Sequence, residues 1–486
     1  MTANLAGYLA SRAAENGWSA RPAYYDGDDV HTFEDVHRGA ARFAAGFAAR
    51  GLARGGRVLL ALPDGIDAVW AFLGAARLGA VAVPVNSTLH PDEIALATRV
   101  AQPDLVVAEA DLAGLFDAVV DPAELRAVTD EAPVADVTAD DPAYAAFTSG
   151  TTGDPKLCFH THGDPGVYEQ AIGEVVGITP RDVTFSVSRL YFSYGLGNSI
   201  LFPLHRGGAT VLSRERATED EALRLVRRHG VTVLYGQPSF FARLLRHPDH
   251  AALSGLRLAL VAGEVLPESL ESRLREVLGG RLLNIFGTTE IGHALVANTP
   301  DARRDGSIGR ILPPYRLRIV DDNGDEAAPG VEGRLEVAGP TIALGSRRGG
   351  DGPLRAEGWY ATGDAATVDA EGFVRLHGRL DDIEIVGGQN VHPTEIEDLL
   401  MQHPDVQEAG VCSTRRETGV TTLRAFVALK ADGPSPDRVR AELLATAKEK
   451  LTWYKVPEDV VFVTALPRTP TGKLRRREVR TMAAAR

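Results

Sequence analysis

In the first third of the chain, short apolar runs alternate with stretches long enough for helices. RVLLALP (57–63), AVAVPV (80–85) and DLVVAE (104–109) have strand length, and helical patterns lie between and before them near 34–50, 66–78 and 91–101. Apolar runs with no polar face suit strands buried on both sides, and their alternation with helices builds a parallel sheet covered on its faces. The rhythm resumes with DVTFSVSRL (182–190), TVLYG (232–236), RLALVAG (257–263) and RLLNIFG (281–287). From about residue 305 it gives way to β-rich runs punctuated by Gly and Pro, with DDNGD as a hairpin signal. After GRLDD (378–382) come EIVGG, a helix in PTEIEDLLMQH, strands near 406–413 and 423–430, a helix over 436–451 and a basic tail, GKLRRREVR. The expectation is an α/β protein. Its large N-terminal domain, 1–378, holds two α/β subdomains and a small β subdomain; a small α+β C-terminal domain spans 379–486.

A chain of 486 residues exceeds what one hydrophobic core organises, which agrees with that division. The formal charge of −13 argues against a nucleic-acid partner, because phosphate-backbone binding needs clustered Lys and Arg. Cys158 and Cys412 are too few for a disulfide scaffold or a four-cysteine zinc site, which suits a cytoplasmic protein. The amino terminus lacks a basic segment followed by an apolar core, so no signal peptide is expected, and its helical pattern reads as a packed first helix. VWAFLGAARLGAVAVPV (69–85) is interrupted by Arg77 and ends at Pro84, so it reads as helix then strand and no membrane partner is expected.

TSGTTGDPKLCFHTHGD (148–164) follows the strand-like PAYAAF and reads as a loop leaving a strand end. Hydroxyls at Thr148, Ser149, Thr151 and Thr152 and glycines at Gly150 and Gly153 fill its first six positions, and Lys156 follows Asp-Pro. Glycines let backbone N–H groups turn toward an anion, hydroxyls add donors and the lysine adds charge, so the guest expected is a phosphate chain. The spacing is not that of a Walker loop, since Leu157 stands where a magnesium-binding Ser or Thr would follow the lysine.

Other stretches fit the same guest. In NIFGTTE (284–290), Phe286 can face a base beside Gly287, Thr288 and Thr289 can donate to phosphate, and Glu290 can hold the magnesium that neutralises it. Asp364 in WYATGD follows a glycine turn and can accept from both ribose hydroxyls. Arg379 in GRLDD offers a second ribose or phosphate contact, and Lys473 lies on a Gly-bounded loop near the carboxyl terminus.

TSGTTGDPK, NIFGTTE, YATGD, GRLDD, GGQNVHPTEIE and PRTPTGK, in this order, resemble the adenylate-forming acyl-CoA synthetase superfamily over almost the full chain. Within it, SRLYFSYGLGNSILFPLHRGG, VPVNSTLHPDE and TTEIGHALVANTP are most similar to benzoate-CoA ligases and related aryl-CoA ligases. The resemblance implies ATP, Mg²⁺ and CoA as cofactors and a small aromatic acid, benzoate- or cinnamate-like, as substrate. It assigns Lys473, Thr289 and Glu290 to catalysis and Tyr194 and His293 to the acyl pocket. Beside them Gly195 and Gly197 leave room for a flat ring. The C-terminal domain is then mobile, turning at the hinge Asp381 to exchange Lys473 for the loop at Gly387 and Gly388 between the adenylation and thiol-transfer steps.

Three departures stand out: Leu157 replaces a glycine, Ile385 stands where many relatives carry a lysine, and ALGSRRGGDGPLRAEGWY is shorter than its counterparts. The acceptor is left open between CoA, an acyl carrier protein and a nitrogen nucleophile, and so is the choice between monomer and homodimer. A non-catalytic binding protein is disfavoured by the joint presence of Lys156, Glu290, Asp364, Arg379 and Lys473.

Overall fold

The computed structural model describes residues 3–149, 155–215, 217–321, 323–346, 353–355, 358–386, 389–416, 421–430, 435–468 and 474–484. The first sheet has five strands in the order Leu105–Ala108, Arg57–Ala61, Val81–Pro84, Pro142–Ser149 and Pro155–Thr161, all parallel except the last. Helices Phe33–Ala49, Ile66–Leu78 and Pro91–Ala101 fall where the alternation puts them. Thr32 caps the first through a reciprocal bond with Asp35, and His90 and Glu93 cap the third in the same way.

The second sheet has nine strands. Val183–Ser186, Val233–Gly236, Leu258–Val261 and Leu282–Gly287 run parallel through its middle, followed by antiparallel Ala294–Ala297. Its far edge is the hairpin Pro22–Asp26 and Asp29–Thr32, which joins this sheet through Ala209–Leu212 although it precedes the first sheet in sequence. One hydrophobic core, running from Leu5 to Val374, spans both sheets and packs the helix Leu5–Glu15 against them.

Four antiparallel strands, Arg316–Val320, Gly333–Ala338, Tyr360–Val368 and Val374–Arg379, form the β-rich region. The DDNGD turn is real, with Asp321 accepting from the Asn323 and Asp325 N–H groups, and the returning strand begins only at Gly333. From Val386 onward, a separate core gathers around the three-stranded sheet Val406–Arg415, Thr421–Leu429 and Asp459–Val463.

Two local expectations change. Residues 148–164 are not one loop, because Pro155–Thr161 is a strand paired to Pro142–Ser149, with Thr148 opposite Lys156. Proline is tolerated there because the strand lies at the sheet edge, and Leu157 and Phe159 are buried in the core under it. The basic tail is a helix, Arg476–Ala484, whose Val479 and Ala483 pack on Cys412 and Phe426.

Candidate active site

The phosphate-type loop joins two adjacent strands of the first sheet, and NIFGTTE ends a strand of the second. Gly150, Thr151, Thr152 and Gly153, and likewise Gly387, Gly388 and Lys473, lie outside the described residues. Thr148 and Ser149 end their strand, and Lys156 is exposed at the start of the next. The fold brings Lys156 and Glu290 together: both act on the buried Cys158 thiol, whose pKa is pushed up by burial first and then by the Glu290 charge, against Lys156.

The loop after Leu282–Gly287 is held through its backbone. Ala343 N–H donates to the Glu290 carbonyl (2.7 Å), Thr341 Oγ1 to the Ile291 carbonyl (2.8 Å) and His160 Nε2 to the Thr289 carbonyl (2.9 Å). Fixed in this way, Thr288, Thr289 and Glu290 stay half-buried, and Thr288 Oγ1 finds no partner among the described residues. The Tyr360 hydroxyl bonds to Glu290; burial, and then the Glu290 charge, hold it protonated well above its ordinary range. Phe286 is packed against the core, and Gly287 is exposed. Tyr360 stands in the quoted motif without a role, and only its place beside Glu290 reveals one.

Asp364 and Arg379 face each other across paired strands. Arg379 Nη1 donates to the Thr362 carbonyl (2.7 Å) and lies 3.4 Å from Asp364 Oδ2. Asp381 sits in the exposed turn Leu380–Asp382, and its carbonyl accepts from Arg480 of the C-terminal helix at 3.3 Å. Ile385 is exposed on the following strand.

The aromatic cluster is built around His293. Its ring meets Phe202 edge-on at 4.7 Å and lies 5.5 Å from Tyr194, which in turn meets Tyr235 edge-on at 6.1 Å. Burial pushes the His293 pKa down to about 3, so the ring is neutral at physiological pH. His293 Nε2 pairs with Asn198 Oδ1 at 3.2 Å, Asn198 also bonds to the Tyr194 side chain and His293 to the Tyr194 backbone, and the Tyr235 hydroxyl finds no partner among the described residues. Asn198 lies in a π-helical turn, Gly197–Leu201, a distortion that recurs at functional sites.

The space at the two glycines is taken by the chain itself. A Cβ at Gly195 would lie 2.0 Å from the Arg189 carbonyl oxygen, and one at Gly197 2.3 Å from the His293 ring. Tyr191 and Phe192 instead line a separate cavity of about 350 Å³ with Asn86, Ser87, Thr88, Arg189, Arg214 and Arg243. On its wall burial pushes the Asp64 carboxyl up to about 6, against Arg189 and the Leu190 N–H. Asn198, Tyr235 and His160 had no sequence signal beyond their neighbourhood to the motifs.

The loop that ends Leu282–Gly287 thus carries Thr288, Thr289 and Glu290 to within three residues of the buried aromatic cluster around His293, at the carboxyl end of a parallel strand where ligands of α/β sheets bind. The chain belongs to the family of AMP-binding enzymes, whose model matches residues 11–346, and the model of the AMP-binding enzyme C-terminal domain matches 395–473. Relatives include the p-hydroxybenzoic acid–AMP ligase FadD22 of Mycobacterium tuberculosis, 42% identical over 98% of this chain and 68% of that protein. The benzoate–CoA ligase of Thauera aromatica is 31% identical over 98% of this chain and 95% of its own length. Among solved structures, the anthranilate CoA ligase AuaEII in complex with anthranoyl-AMP superposes with a TM-score of 0.91 at 29% identity, covering 99% of this chain and 98% of that one. Among the described residues no helix is long and apolar enough to cross a membrane.

Proposed function

We propose that this chain activates a small aromatic carboxylic acid with ATP, giving an aryl-adenylate and pyrophosphate, and then passes the acyl group to a thiol. The observation that carries the reading is the short loop from Thr288 to His293. Glu290 lies on its phosphate side and His293 on its aromatic side, only three residues apart, so the two sites are within about 10 Å of each other. That span suits an aryl acid whose ring rests by Tyr194 and His293 and whose carboxylate reaches the α-phosphorus.

A carboxylate oxygen attacks the α-phosphorus, and the bond to the bridging oxygen breaks, its electron pair leaving with pyrophosphate. Lys156 and Lys473 offset the repulsion between two anions, and Thr288 and Thr289 donate to phosphate oxygens. Asp364, backed by Arg379, accepts from the ribose hydroxyls. Among the described residues no group of three His, Cys, Asp or Glu side chains could hold a metal by itself. The single carboxylate Glu290, oriented by Tyr360, suits a magnesium ion that is carried mainly by nucleotide phosphates and neutralises their charge. In the second step the thiolate attacks the acyl carbon and the bond to AMP breaks. Asp381 is the hinge between the two steps, and the Gly387–Gly388 loop then replaces Lys473 at the site.

The Tyr235 hydroxyl, buried and without a partner among the described residues, supports a ring that carries a hydroxyl or amine, since a buried polar atom left unbonded is costly and such a substituent can donate and accept. The arginine-lined cavity beside Tyr191 and Phe192 supports CoA, an acceptor with phosphates, as the thiol. A second reading, delivery of the adenylate to a carrier protein or a nitrogen nucleophile, is favoured by FadD22, a relative named for its AMP product. Pyrophosphate release measured with benzoate, hydroxybenzoates, aminobenzoates, cinnamates and a medium-chain fatty acid, with and without CoA, tests both. Release with aromatic acids and a thioester in the presence of CoA is expected. A fatty acid as best substrate overturns the aryl reading, and adenylate without thioester selects the second acceptor.

A further inference from the structure

His160 is fully buried on the strand that leaves the phosphate-type loop, four residues beyond Lys156. Its Nε2 lies 2.9 Å from the carbonyl oxygen of Thr289, which is 129 residues away and belongs to the other sheet's loop. A carbonyl only accepts, so Nε2 carries the hydrogen. Nδ1 is met by the Tyr168 hydroxyl at 3.0 Å, which in turn accepts from Tyr144 at 3.3 Å, while the Tyr144 ring stacks on the imidazole with centroids 5.1 Å apart. Asp164 Oδ2 lies 3.3 Å from Nδ1 and accepts from the N–H of Thr161. The loop closes tightly on this group. Gly292, at φ +93°, has no room for a side chain, since a Cβ there would lie 1.9 Å from the Tyr168 oxygen.

From this arrangement we infer that His160 is a positioning residue for nucleotide activation, an inference that rests on the adenylating function proposed above. The two halves of the nucleotide site, Lys156 on one sheet and Thr289–Glu290 on the other, are set against each other by the His160 hydrogen bond. His160 touches neither nucleotide nor aromatic acid. It fixes the plane of the Thr289–Glu290 peptide, and with it the direction of the Thr289 hydroxyl and the Glu290 carboxylate. Burial of the whole Tyr144–Tyr168–His160 chain keeps water from replacing the bond.

The test compares three variants of the full-length chain. In His160→Gln an amide N–H can reach the Nε2 position, in His160→Asn it reaches only the Nδ1 position, and in His160→Leu there is no donor. MgATP binding by isothermal titration across a range of Mg²⁺ concentrations, and aryl-adenylate turnover, are read for each. Leu and Asn should weaken MgATP binding about tenfold and lower turnover about 10- to 100-fold, the scale of a misplaced catalytic group, while the KM for the aromatic acid stays within about twofold. Gln should recover most of both losses. If Gln is as damaged as Asn and Leu, His160 is merely structural and the inference falls, as it does if all three match the wild type. Failure of the functional reading looks different: the wild type would bind MgATP yet release no pyrophosphate with any aromatic acid, and the binding measurements would still decide the role of His160.

Discussion

Asp364 stands directly opposite Arg379 on antiparallel strands, and the guanidinium bridges the carboxylate to the Thr362 carbonyl. The pairing fixes the carboxylate of a residue that is almost fully buried, so its orientation is set before any ligand arrives. Asp364→Asn keeps the shape and removes the charge, and should raise the KM for ATP by about tenfold, the scale of a charge-assisted hydrogen bond, with little change in the KM for the acid. An unaltered ATP KM would remove Asp364 from ribose recognition.

Discrimination by a hydrogen-bonding pocket exceeds discrimination by size, because the missing substituent leaves buried groups unpaired. Tyr235→Phe and His293→Ala should therefore lower kcat/KM for the preferred hydroxy- or aminobenzoate by about tenfold or more while changing that for benzoate by less than about threefold. A preference that survives both substitutions would place substituent recognition elsewhere.

Lys473→Ala should lower ATP–pyrophosphate exchange by about 10² or more, as for loss of a transition-state donor, and leave thiol transfer from a supplied aryl-adenylate intact. Equal loss in both half-reactions would contradict a role confined to adenylation.

Stability should fall as the pH drops from about 6.5 to about 4, the ordinary pKa of His and the folded-state value of several buried imidazoles. Burial lowers the pKa of His37, His162 and His205 to about 4 and that of His293 to about 3, so in this window the unfolded chain binds protons that the native state refuses. Asp398 and Asp64, raised to about 8 and about 6, act in the opposite sense, as do Glu169 and Asp382, whose carboxyls burial also raises; His229 and His377, lowered by burial, join the first set, so four groups stand against six. Melting temperature measured at constant ionic strength should decline across this window, and a rise would show that the acid groups dominate.

Much of the architecture was legible in the sequence because hydrophobic periodicity is local: the strands near 57, 81 and 105 and the helices between them form where their patterns place them. The candidate residues Thr148, Lys156, Glu290, Asp364 and Arg379 stood out because they lie in short motifs rich in Gly, Thr and charge, although the structure places Thr148, Lys156, Asp364 and Arg379 in strands. Where local signals competed, tertiary context decided. Pro155–Thr161 became a strand because the neighbouring strand offered a partner and its apolar side chains a core, and the charged segment Arg476–Ala484 became a helix because one of its faces packs on the sheet.

The sequence alone determined the classes of element, the motifs and their order along the chain. Only the tertiary structure decided which distant groups meet: His160 with the Thr289 carbonyl, Tyr360 with Glu290, and the glycines of the Tyr194 turn with Arg189 and His293. It also decided that the hairpin near residue 25 joins the second sheet instead of the first. The physical reason is that periodicity fixes which face of an element is buried, whereas the partner across that face depends on how two sheets pack, and no local pattern in the chain encodes that distance.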